Sequence, residues 1–347
     1  MERHDDGFEK YSLENGLVVA KQRIPSGLIN AELRANYGAC NEKEGEEGLA
    51  HYLEHCLVTA GTEKHSSSDL ERIIPSLGYY NAQTNIGRIS FLGRFLPEDF
   101  ENWLSLVSQQ AFHPTFDQER VEGERKRVLR ELVEMGTNHH GPLAREYSRV
   151  IYREHPLGKF VLGKEDVIKN ANVEALQNFY QRGFHPNNFD LILAGNLPKN
   201  DSELINHYFG NEKPGENTRR TFPPLSELPF KTVIRAPAKE LLNNFSPEES
   251  AADILLSVVV PPEEHPDRCA LHTIATFLGK GPFSQFYKKF GLESGLSYCT
   301  SCNYASSYNT GIFEVTAAVP AKRIDEGVDT LFQAFESLKK EGISEDS

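Results

Sequence analysis

Residues His51, Tyr52, Leu53, Glu54 and His55 place two histidines four apart, with a glutamate directly before the second. On an α-helix each residue advances by about 100°, so His51, Glu54 and His55 fall near about 0°, 300° and 40°, within an arc of about 100°. Two imidazoles at i and i+4 suit tetrahedral zinc. An adjacent carboxylate that does not ligate can take a proton from water activated by the metal. A helix that turns polar residues to solvent would carry the same five residues, so the pattern needs a third ligand before it means metal.

Catalytic zinc takes three protein ligands and keeps a fourth position open. The segment VEGERKRVLRELVEM, residues 121–135, offers Glu124 and Glu131, seven apart and therefore on one helical face two turns along. One can ligate while the other stands about 10 Å along the axis in support. A solvated, salt-bridged helix is the other reading of this segment. His113, His139 and His140 are rival ligands beside prolines or glycine in expected loops.

The elements that must position these groups follow from periodicity. Strands are expected across residues 10–37 (YSLENGLVVAKQR, LINAELRANYG), then a helix from about Glu47 to Thr59 and another over SSSDLERIIPSLG, with serines as N-cap candidates. The alternation in YYNAQTNIGRISFLGRF predicts a strand pair. Pro97 opens a further helix, and a long charged helix covers about Asp117 to Met135. More helix is expected to about Arg182, and NNFDLILAGNL reads as a returning strand. Residues 211–230, rich in proline and polar groups, have the profile of an interdomain linker. This divides the chain into a metal-binding domain over 1–210 and a second domain over 231–347.

After the linker the order of elements begins again. AADILLSVVVPP stands where INAELRANYG stood, and HPDRCALHTIATFL stands for the helix around residue 51 without its histidines and glutamate. GLSYCTSCNYASSYNTGIFEVTAAVP and AKRIDEGVDTLFQAFESLKKEG mirror the strand pair and the helix after it. Counterparts of about residues 117–195 are missing from the second copy, so the expectation is either that the chain is a fragment of a longer protein or that its second sheet is short and leaves a surface for something else to cover.

Bulk composition narrows the functions. With 37 Lys and Arg against 50 Asp and Glu, the net charge of −13 repels polyanions, so nucleic acid is a poor partner. No stretch approaches the roughly 18 apolar residues of a membrane span, and MERHDDGFEKYS lacks a signal peptide's basic and apolar regions. A cytoplasmic address is expected. Five scattered cysteines fit reduced thiols better than a disulfide framework. Cys299 and Cys302 sit three apart in an expected strand and so point to opposite faces, and Cys56 points off the ligand face. His155 reads as structural, and His65 as near the cleft.

GLAHYLEHCLVTAGT resembles the active-site helix of the pitrilysin and mitochondrial processing peptidase family of zinc metallopeptidases. The resemblance extends through YYNAQT, EHPLGKFVLG, GFHPNNFDLILAGN and FLGKGPFSQFYKKFGLESGLSY, and spans about residues 10–340. It implies an α+β fold: two similar αβ sandwich domains, each an antiparallel-rich sheet covered by helices, facing each other as a clamp, with zinc in the first and the second shortened. Its ligand glutamate lies in the mid-seventies of residues downstream of the motif, which selects Glu131, 76 residues after His55. The implied roles are one Zn2+ per chain on His51, His55 and Glu131, Glu54 as base, Glu124 as the supporting glutamate, Asn81 and Ala82 on substrate backbone, and Tyr298 on the oxyanion. Where the family carries an arginine in its second domain, this chain has Gly291. The expected function is a zinc endopeptidase acting on peptides or unfolded segments, as a homodimer or in a complex with a related subunit. A non-catalytic or partner-dependent subunit and a zinc-dependent lyase of small molecules are the alternatives.

Overall fold

Two-residue alternation between buried and accessible positions governs the strands. In Ile29–Ala35 the residues Ile29, Ala31, Leu33 and Ala35 are buried and those between are not, and Phe189, Leu191 and Leu193 repeat the pattern in Phe189–Gly195. The computed structural model describes residues 2–3, 7–137, 147–148, 150–153, 155–222, 251–297 and 299–343. They divide into two units, one within 1–138 and 156–220, the other within 139–155 and 221–347.

In the first unit the strands are β1 (Glu2–Arg3), β2 (Phe8–Ser12), β3 (Val18–Arg23), β4 (Ile29–Ala35), β5 (Tyr79–Asn85), β6 (Arg88–Phe95) and β7 (Phe189–Gly195). They form a seven-stranded sheet in the order β1-β2-β3-β7-β4-β6-β5, antiparallel except for the β3–β7 pair. Helices α1 (Leu49–Thr59), α2 (Ser67–Ser76), α3 (Phe100–Phe112) and α4 (Gln118–Thr137) follow in chain order. In α3, Phe100, Trp103, Leu104, Val107 and Ala111 are buried at helical spacing and join the core that lies on one face of the sheet. Close approach of α3 to β6 depends on Gly93, where an added Cβ would meet Trp103 Nε1 at 2.3 Å.

The helix Asp201–Phe209 was not among the elements expected from periodicity. The first part of the proline-rich stretch is tied to the first unit: Thr218 N–H donates to Asn188 Oδ1 (2.9 Å), and Arg219 donates to the carbonyls of Asn187 and Phe189 and to Asp190. Residues 223–230 of that stretch lie outside the described residues.

The second unit has strands β8 (Ala251–Val260), β9 (Thr300–Ser307) and β10 (Thr310–Pro320) in the order β8-β10-β9, with helices Arg268–Gly279 and Ile324–Glu341 and a π-helical segment Tyr287–Glu293. That order reproduces β4-β6-β5 of the first unit, as the internal repeat requires. No described helix is long and apolar enough to cross a membrane. All five cysteines are free; Cys302, in the strand Thr300–Ser307, is buried, and Cys299, one residue before that strand, is exposed.

Candidate metal centre

Helix α1 is held from both sides before its polar residues do anything. Leu49, Ala50, Tyr52, Leu53, Cys56 and Leu57 are buried, and the Tyr52 hydroxyl donates to the Val121 carbonyl of α4 at 2.7 Å. Its first turn would leave backbone N–H groups unpaired. Glu42 Oε1 accepts two of them, from Gly48 (3.0 Å) and Ala50 (2.9 Å). Gly48 itself sits at φ 99°, and a Cβ there would lie 2.7 Å from the Leu162 carbonyl.

This anchoring sets His51 and His55 side by side, with their rings at 80° and centroids 4.7 Å apart. Their Nε2 atoms are separated by 3.3 Å, and Glu131 Oε2 on α4 lies 3.5 Å from His51 Nε2 and 3.7 Å from His55 Nε2. Nitrogen and oxygen ligands about 2.0–2.1 Å from a tetrahedral ion stand roughly 3.3 Å from one another. The three measured separations lie close to that edge length, so the donor set fits zinc in number, atom type and spacing. Among the described residues, this is the one group of three His, Cys, Asp or Glu side chains close enough to hold a metal ion.

Glu124, one helical repeat before Glu131, contacts the other side of His55. Its Oε2 accepts the His55 Nδ1 proton at 2.9 Å, which fixes the tautomer and leaves Nε2 as a donor of electrons. Thr59 Oγ1 (3.1 Å) and Arg127 Nη1 (3.1 Å to each oxygen) complete the surroundings of that carboxylate. His51 Nδ1 is buried without a partner among the described residues.

Titration follows from the same contacts. Burial, with help from His55, pushes His51 down to about 3, so it stays neutral. Burial opposes a charge on His55, but the Glu124 bond and the carboxylates of Glu54, Glu131 and Glu124 outweigh it and raise its pKa. Burial would raise Glu124, yet His55, Arg127 and Thr59 hold it below the ordinary carboxylate range. Burial raises Glu54 above that range.

Glu54 shares a cleft of about 560 Å³ with His51, His55 and Glu131. Asn81 and Ala82 line the same cleft from β5, whose outer edge has no strand partner among the described residues. Tyr298 lies outside the described residues, as do His139 and His140. Gly291 is in the π-helical segment of the second unit. His113 is bound to Glu212 at 2.8 Å and takes no part in the His51 group, and His65 does not line the cleft. Sequence reasoning missed Thr59, Thr84, Arg127 and Glu42. For Thr84 a signal existed, since strand alternation puts Tyr80, Ala82 and Thr84 on one face; for the others it lay in tertiary packing.

Residues 17–165 match the family model described as Insulinase (Peptidase family M16), and residues 170–347 match the one described as Peptidase M16 inactive domain. A Rickettsia bellii protein described as an uncharacterized zinc protease is 22% identical over 97% of this chain and 81% of its own. The mouse mitochondrial-processing peptidase subunit beta is 26% identical over 86% of this chain and 60% of its own. The crystal structure of a protease from Helicobacter pylori superposes with a TM-score of 0.81 at 20% identity, covering 98% of this chain and 81% of that one.

Proposed function

The chain belongs to peptidase family M16, and from that premise we propose that it is a zinc-dependent endopeptidase that hydrolyses peptides or unfolded segments. The observation that carries this reading is the convergence of His51 Nε2, His55 Nε2 and Glu131 Oε2 at tetrahedral spacing, with Glu54 in the same cleft. In this reading His51, His55 and Glu131 hold one Zn2+ per chain. Zinc bound there would supply Lewis-acid polarisation of the scissile carbonyl and lower the pKa of the attacking water.

The chain's own residues do the remainder. Glu54 accepts the proton of the attacking water on a carboxylate oxygen and delivers it to the leaving amine nitrogen. A carboxyl raised by burial is suited to both halves of that transfer. Glu124 keeps the proton of His55 on Nδ1, so that Nε2 faces the metal. The open edge of β5 takes the substrate backbone as an added strand at Asn81 and Ala82. Tyr298 is assigned the tetrahedral oxyanion on resemblance.

The second unit lacks a comparable ligand group among its described residues and matches a model described as inactive, so the chemistry is assigned to the first. Three apolar side chains of the second unit, Phe283, Leu292 and Val258, are exposed at 83%, 71% and 51%. The mouse relative is itself described as a subunit. These two points favour assembly with a second copy or a related subunit.

Cleavage of a fluorogenic peptide by the zinc-loaded protein tests the reading. We expect turnover that a chelator removes and zinc restores. Glu54→Gln should retain zinc while losing roughly 10²- to 10⁴-fold in kcat. Unchanged turnover in Glu54→Gln would reject the base.

A further inference from the structure

Glu54 has a positional problem that its own helix does not solve. The carboxylate is 9% exposed and shares its cleft with two others, Glu131 and Glu124, whose charges repel it. Among the described residues it has one hydrogen-bond partner, the Thr84 hydroxyl, which donates to Oε2 at 3.0 Å. Thr84 is on β5, paired across the ladder with the buried Ile89 of β6, and so faces the helical layer. The same face carries Tyr80, whose hydroxyl donates to Gln110 Oε1 of α3 at 2.8 Å.

We infer that Thr84 is a positioning residue for Glu54: its hydroxyl pins one carboxylate oxygen and leaves the other for the attacking water. Because Thr84 is two residues beyond Ala82, this bond ties the base to the strand proposed to receive substrate. A substrate that displaces β5 therefore displaces Oε2 with it, and seating the substrate sets the base. The inference rests on the endopeptidase reading of the site.

The test is a comparison of Thr84→Val and Thr84→Ser in the zinc-loaded protein, with zinc content, melting temperature, kcat and KM measured for each. Valine keeps the shape and the strand propensity and removes only the donor. A buried carboxylate deprived of its one donor predicts a kcat loss of roughly 10- to 100-fold, with KM within about twofold and zinc retained. Serine should restore kcat to within about threefold of wild type. In a Glu54→Gln background, Thr84→Val should add no further loss, because residues acting through one group are not additive. An equal additional loss in that background, or a change confined to KM or to zinc content, overturns the inference.

If the wild-type protein cleaves no peptide, it is the endopeptidase reading that fails. Crystal structures of the metal-free wild type and Thr84→Val then decide the inference alone. It predicts that the Glu54 carboxylate moves in the variant, and an unmoved carboxylate contradicts it. Thr84→Ala replaces the valine variant should that one fail to fold.

Discussion

Glu124 and Glu131 of α4 serve different atoms of the imidazole pair. Glu131 Oε2 stands beside both Nε2 atoms, whereas Glu124 Oε2 receives the proton on His55 Nδ1. Removing Glu124 should therefore weaken metal binding without abolishing it. We expect Glu124→Ala to lower zinc affinity roughly 10- to 100-fold, measured by competition with a chromogenic chelator. A second consequence concerns pH. Glu124 and the neighbouring carboxylates raise the pKa of His55 in the metal-free protein, and zinc requires His55 neutral. Zinc affinity should fall as pH drops through the His55 value, and the fall should begin at lower pH in Glu124→Gln, whose amide no longer favours the imidazolium. Identical affinity–pH curves for the two proteins would contradict this. At this scale the sequence was legible where helix geometry alone decides: His51, Glu54 and His55 share an arc whatever surrounds them. It was ambiguous between Glu124 and Glu131, because one helical face offers both, and the resemblance rather than periodicity selected Glu131. Strand alternation placed Thr84 on the face of Tyr80 and Ala82, but its bond to Glu54, 30 positions away, arises only through packing.

Among the elements, α1 is the one whose placement matters most, and its first turn depends on a side chain outside it. Glu42 is buried, and its Oε1 takes both the Gly48 and Ala50 N–H groups. Glu42→Ala should cost about 1–3 kcal/mol, read from denaturant unfolding, because two buried donors lose their acceptor. Burial pushes the Glu42 carboxyl up to about 8 from an ordinary 4.5. Between those values the folded state holds a proton that the unfolded chain has released, so this contribution is fully present below pH 4.5 and declines as pH rises to about 8. Glu42→Gln should flatten the stability profile over that window, and a profile unchanged by the substitution would reject the assignment. Strands β2 to β10 and α1 to α4 were legible because their apolar periods are regular, whereas the two-residue β1 (Glu2–Arg3) is too short to show one. The helix Asp201–Phe209 was not legible either, since its nine residues give too little of a 3.6-residue repeat to separate from a loop.

For the whole molecule, the internal repeat was the most informative feature of the sequence, and it survives as strand order: β8-β10-β9 repeats β4-β6-β5. The repeat was legible because both copies need the same apolar faces, while among the described residues the group that could hold a metal lies in the first. Light scattering on the 347-residue chain bears on the proposed assembly. It should report a mass above the 39.1 kDa of one chain, alone or once a related subunit is added, and a monomer under both conditions would count against it. The central claim, that one zinc sits on His51, His55 and Glu131 beside Glu54, is tested most directly by anomalous scattering at the zinc edge from crystals of the zinc-loaded protein. The account predicts a single peak per chain within bonding distance of His51 Nε2, His55 Nε2 and Glu131 Oε2. A peak bound instead by Glu124 or Glu54, or no peak at these residues, would contradict it.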